Sequence, residues 1–94
     1  MKNSVWKFEL PIADNIKIQL PEGAKQLHVA AMSNQSLNLW ALVDVDAPFV
    51  DRKFSLRGTG HPADGLENVP FIGTVIMMGG AFVCHLWDGA PDVE

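Results

Sequence analysis

The chain of 94 residues contains no tyrosine and a single cysteine, Cys84. A lone cysteine cannot form an internal disulfide, so the sequence suits a reducing compartment and points to the cytoplasm. Basic residues are scarce: Lys+Arg 7 against Asp+Glu 11 gives a net charge of -4. That balance argues against binding duplex nucleic acid, where phosphate neutralisation needs a basic surface, but leaves room for one small anion at a local cluster. No apolar run approaches the roughly 20 residues of a membrane helix. The N-terminus alternates apolar and polar residues from Val5 rather than opening on the apolar block of a secretory leader. Helix-length periodic segments, internal repeats and low-complexity tracts are missing too. What remains is a chain with 48% hydrophobic residues and a period of two.

Trp6, Phe8, Leu10 and Ile12 alternate with polar residues or proline, as do Ile16, Ile18 and Leu20. Half-buried antiparallel strands read this way. A turn at Ala13-Asp14-Asn15 predicts a hairpin pairing Ile12 with Ile16, Leu10 with Ile18 and Phe8 with Leu20. Pro11 and Pro21 suit strand ends or an edge, since proline cannot donate to a ladder. In the middle, strands near 26–33 and 37–46, joined by Asn34-Gln35-Ser36, pair Ala31 with Leu39, Val29 with Ala41 and Leu27 with Val43. A strand near 53–60 would complete a meander, pairing Val45 with Phe54 and Val43 with Leu56. Leu39 then faces inward between Ala31 and Gly60. The opposite face carries His28, Ala30, Met32, Asn38, Trp40, Leu42, Asp44, Lys53, Ser55, Arg57 and Thr59, a mixed surface.

Residues 61–70, with two prolines and Gly65, read as a loop. Gly79-Gly80 then supplies positive φ for a tight primed turn between strands at 71–78 and 81–87. That register sets Met77 against Phe82, Ile76 against Val83, Val75 against Cys84 and Thr74 against His85. Both faces of this hairpin are apolar, which calls for cover by a second sheet or another subunit and predicts a homo-oligomer. The prediction is one all-β domain over 1–94, a compact antiparallel sandwich or small barrel of about seven short strands, with 89–94 as a flexible tail.

Candidate chemistry is sparse. Gly58-Thr59-Gly60 lacks the third glycine of a dinucleotide loop and the lysine of a P-loop, and Pro62 stands where a helix would begin. A narrower site survives: glycine-flanked N–H groups can form an anion nest, with Arg57 and His61 beside it. Cys84 and His85 are strand neighbours and point to opposite faces, so they do not share a metal. Cys84 reads as a small buried hydrophobe, and His85 as a histidine hydrogen-bonded beside Thr74. Asp44 and Asp46, with Asp51 nearby, read as solvated strand-end charges, with Asp46 facing Lys53. Trp40, in the predicted register beside Ala30 and Thr59 and one diagonal step from Arg57, is either a stacking platform or a packing residue. The candidate ligand site is therefore Trp40, Arg57, Gly58, Thr59, Gly60 and His61. No catalytic residue, metal ligand or cofactor is assigned, and the chain reads as a non-enzyme.

Several blocks together carry a resemblance: Val5-Trp6-Lys7-Phe8, Leu39-Trp40-Ala41-Leu42-Val43-Asp44, Arg57-Gly58-Thr59-Gly60-His61-Pro62, Phe71-Ile72-Gly73-Thr74 and 79–85. The chain resembles a family of small uncharacterised proteins encoded by tailed phages and prophages. It departs from them near 64–70 and in its short tail. The resemblance transfers no site. It implies a phage or prophage protein in the host cell cytoplasm and two expectations by analogy. One is a counter-defence binding protein that sequesters a nucleotide-derived immune signal or blocks a host defence protein. The other is a structural or assembly accessory acting through homo-oligomerisation.

Overall fold

The computed structural model describes residues 2–33 and 35–91. Seven strands appear in chain order: β1 (Asn3–Leu10), β2 (Asn15–Pro21), β3 (Lys25–Ser33), β4 (Ser36–Asp44), β5 (Phe49–Gly58), β6 (Phe71–Met77) and β7 (Phe82–Trp87). They form two antiparallel sheets, β1-β4-β3 and β2-β5-β7-β6. The sheets do not close into a barrel, so the fold is sandwich-like and all-β, as the alternation predicts.

Alternation fixes which face each residue takes, and here the prediction holds well. Leu37, Leu39, Ala41 and Val43 of β4 are buried with Leu10, Val29, Ile16, Leu20, Phe54, Leu56, Val75, Met77, Cys84 and Leu86 in one core drawn from both sheets. Alternation does not fix the partner strand, and here the structure differs. The predicted hairpin of Ile12 with Ile16, Leu10 with Ile18 and Phe8 with Leu20 does not form. Instead β1 pairs with β4, setting Phe8 against Leu39, while β2 pairs with β5, setting Ile16 against Phe54. The short connection after Leu10 carries the chain from one sheet to the other, as at the corner of a sandwich.

The middle meander is also revised. β3 and β4 pair, but Val29 meets Leu39 and Ala31 meets Leu37, a slip of two residues from the prediction. A slip of two keeps Val29 and Ala31 on their predicted inner face. A bulge between Gln26 and His28 breaks the phase, however, so Gln26 stands opposite Ala41, Leu27 is 48% exposed and its predicted pairing with Val43 does not form. Ser33 pairs with Ser36, which makes the turn tighter than predicted; Asn34 lies outside the described residues. β5 does not pair with β4 at all, so the predicted contacts of Val45 with Phe54 and Val43 with Leu56 are absent. It lies in the other sheet between β2 and β7. Lys53 faces Lys17 rather than Asp46, and Leu39 is flanked by Phe8 and Val29 rather than by Ala31 and Gly60.

The terminal hairpin has the predicted register throughout, from Met77 against Phe82 to Thr74 against His85. Its connection is a four-residue one from Met78 to Ala81, with Met78, Gly79 and Gly80 at positive φ, rather than a two-residue turn. At one margin of the sandwich β3 and β6 run close without a ladder. Gly73 makes the approach possible, because a Cβ there would sit 3.2 Å from Val29 Cγ1. At the other margin β1 and β2 share no ladder, and Trp6, Phe8 and Ile18 remain only partly buried.

Candidate functional site

Arg57 lies on the outer face of the four-stranded sheet, opposite His85. Its guanidinium serves the protein's own backbone. Nε donates to the Pro62 carbonyl at 3.1 Å, and Nη1 donates to the Asp14 and Leu56 carbonyls at 2.6 and 2.9 Å. Arg57 thereby ties the β1–β2 connection and the loop after β5 to the strand end. Gly58, Thr59, Gly60 and His61 do come together in a bend. Gly58 is buried beneath the His61 ring, where a Cβ would lie 3.0 Å from Cε1 and Nδ1 and 3.2 Å from Phe82. Two of the N–H groups of the expected anion nest serve the fold itself: Thr59 N–H donates to Val83 C=O and His61 N–H to Gly58 C=O, each at 3.0 Å. What remains beside the bend is an open depression of about 340 Å³ lined by Gly58, Thr59, His61, Ala81, Phe82 and Val83.

Trp40 is elsewhere. It sits on the outer face of the three-stranded sheet, between Lys7 and His28, with its ring centroid 6.0 Å from that of His28. The predicted neighbours Thr59 and Arg57 belong to the other sheet, and the predicted platform-plus-guanidinium site is not assembled. The reason is the strand order: the convergence required β5 beside β4, and β5 pairs with β2 and β7 instead.

The Cys84-His85 pair behaves as strand geometry dictates. Cys84 is buried in the core, and desolvation raises its thiol pKa above the usual range. His85 faces outward, its Nδ1 2.9 Å from Thr74 Oγ1 and its Nε2 2.8 Å from Thr59 Oγ1. Two hydroxyls thus hold the imidazole in place beside Trp87, against which Phe71 packs edge-on. We expect the Cys84 thiol to be inert to an aromatic disulfide reagent at pH 8 in the native protein and to react stoichiometrically in denaturant. Rapid native labelling would contradict its burial. The acidic residues disperse: Asp44 Oδ1 accepts from Asp46 N–H at 3.0 Å, while Asp51 lies beside Gln19 and Lys17. Among the described residues no three His, Cys, Asp or Glu side chains gather to hold a metal ion.

One polar cluster lies outside the sequence prediction. Arg52 occupies an inward position of β5, between Val50 and Phe54 in the alternation, and grips Asp88 through Nε (3.2 Å to Oδ1) and Nη2 (2.7 Å to Oδ2). Its Nη1 donates to the Ala24 carbonyl at 2.8 Å, and Ser55 Oγ donates to Gly89 C=O at 2.7 Å. Gly89, at the start of the expected tail, is therefore held against β5, and the 92–94 end of that tail lies outside the described residues. The available signal was an arginine within the alternation Val50, Arg52, Phe54, Leu56, where an inward charge demands a partner.

Comparison with curated proteins and with solved structures finds no match. One family model matches, over residues 1–94, and its description is a domain of unknown function, DUF7352.

Proposed function

Because the chain belongs to the DUF7352 family along its whole length, and that description assigns no activity, we propose from the geometry that it is a non-enzymatic phage or prophage protein that blocks a host protein by direct contact. The phage assignment rests on the sequence resemblance. The observation that carries the contact reading is the outer face of the three-stranded sheet. There Trp40 is only half-buried opposite Lys7 and His28, and Val5 (55% exposed) stands opposite Leu42 on one side. Met32 (59% exposed), farther along β3, reaches the face through Lys7, whose Nζ lies 3.6 Å from its Sδ. Solvent-facing aromatic and methionine side chains in one patch are the composition of a protein-binding surface. Lys7 stands opposite Trp40 and Lys25 opposite Leu42 in the ladders, with Glu9 and Asp44 farther out on the same face, so the patch fits a partner with an apolar anchor and a rim of mixed charge. Sequestration of a nucleotide loses its support, because Trp40 and Arg57 lie on different sheets.

A photo-crosslinking test decides the matter. With p-benzoylphenylalanine in place of Met32, the protein expressed in a susceptible host should form an adduct with a host protein. The same residue in place of Thr74, on the other sheet's outer face, should not. Trp40→Ala should abolish the Met32-site adduct while leaving the circular dichroism spectrum unchanged. Adducts only between copies of this chain would favour the assembly-accessory reading, and no adduct at either position would overturn both.

A further inference from the structure

One strand is left unfinished in both its main chain and its side chains. The Val45 N–H donates to the Lys2 carbonyl at 2.9 Å, and Lys2 stands opposite Val45 in the continuation of the β1–β4 register. In an antiparallel ladder such hydrogen-bonded pairs alternate along the strand. Ser4, Trp6, Phe8 and Leu10 therefore direct their N–H and C=O groups to β4, and Asn3, Val5, Lys7 and Glu9 direct theirs outward from the margin of the sheet. At that same margin the inner-face rings of Trp6 and Phe8 are only partly covered. Phe49, whose ring lies 6.3 Å from Trp6, is 54% exposed, and Ile12 is 43% exposed.

We propose that β1 pairs antiparallel with β1 of a second copy about a twofold axis at Phe8, joining two three-stranded sheets into one of six. An edge strand with free donors and acceptors is a template for such pairing. Charge sets the register. With the axis at Phe8, Lys7 stands opposite the partner's Glu9 and Glu9 opposite the partner's Lys7, two opposite-charge pairs on the outer face. These are the positions whose backbone groups point outward, so each pair also closes two main-chain hydrogen bonds, about four in all. On the inner face Phe8 meets the partner's Phe8, and Trp6 meets the partner's Leu10. Moving the axis to Lys7 or to Glu9 would set like charges face to face. The β2 margin lacks this complementarity. The Leu56 N–H donates to the Asp14 carbonyl at 3.0 Å, which turns Asn15, Lys17, Gln19 and Pro21 outward. That row carries no acid to match Lys17, and Pro21 has no N–H to donate.

This dimer shares Lys7 and Val5 of β1 with the patch proposed above but does not use Trp40, Leu42 or Met32. Trp40→Ala, which should abolish the host adduct, should therefore leave the dimer intact and separates the two readings. Sedimentation equilibrium from about 1 to 100 µM tests it, with a protomer mass of 10.3 kDa. The wild type should sediment at twice that mass. Lys7→Glu and Glu9→Lys should each weaken dimerisation roughly tenfold or more, because each turns two attractive pairs into repulsive ones. The double reversal, Lys7→Glu with Glu9→Lys, should restore the wild-type affinity, a rescue that misfolding cannot imitate. A wild type that remains monomeric at every concentration overturns the proposal. So does a dimer indifferent to the single reversals, and so does a double reversal that fails to recover.

Discussion

Leu39→Ala is expected to lower the stability of the fold by about 2–5 kcal/mol, measured by urea denaturation at equilibrium. Leu39 has 0% of its surface exposed and stands at the centre of the three-stranded sheet, with Phe8 on one side and Val29 on the other. Truncating its isobutyl group to a methyl would leave a cavity that strands paired on both sides cannot readily collapse to fill. The cost is therefore the lost transfer free energy plus the cavity term. Met32→Ala, on the exposed face of the neighbouring strand, should change stability by only about 0.5 kcal/mol or less. A small loss at Leu39, below about 0.5 kcal/mol, would mean that β4 presents its other face to the core.

Asp88→Ala is expected to cost about 1.5–3 kcal/mol, the range for charge-assisted hydrogen bonds broken in a partly buried setting. The Asp88 side chain is 17% exposed and that of Arg52 27%, so water moderates the penalty below that of a fully buried pair. The truncation leaves the guanidinium with the Ala24 carbonyl and the Phe54 ring, 5.8 Å away, as its remaining contacts. A double-mutant cycle with Arg52→Ala should return a coupling of roughly 1–3 kcal/mol, whereas a cycle between Asp88 and the distant Trp40 should return none. A coupling near zero between Arg52 and Asp88 would show the pair to be a solvated surface contact.

These two sites mark where the sequence can and cannot be read. Leu39 was legible as a core residue because a period of two assigns faces without knowing the neighbour. The β6–β7 register was legible because Gly79-Gly80 locates the reversal and leaves little freedom to its flanks. The partners of β1, β2 and β5 were not, since alternation is identical for a strand paired with its sequence neighbour and one paired across the chain. The candidate site inherited that ambiguity. Trp40 and Arg57 converge only if β5 lies beside β4. His85 and Thr74 meet as expected because Gly79-Gly80 places the reversal of their hairpin, even though the connection is four residues long rather than two. Arg52 was hidden by a strand begun too late: starting β5 at Phe49 instead of Lys53 places its charge among inward residues and makes the search for Asp88 obligatory.

The strand order also bears on how the chain comes to be folded. β1 finds its ladder partner at β4, from Asn3 with Asp44 to Leu10 with Leu37, and β2 finds its own at β5, from Asn15 with Ser55 onward. Neither can pair with what directly follows it. During synthesis the alternating segments around Trp6, Phe8, Ile16 and Ile18 therefore leave the ribosome before the residues that will cover them exist, and the loop-closure entropy of each long-range pairing must be met before any contact rewards it. Among the described residues only β3–β4 and β6–β7 are hairpins of local contacts. Folding of this small protein should consequently be slow for its size, and its N-terminal segment is the part most exposed to wrong partners while it waits.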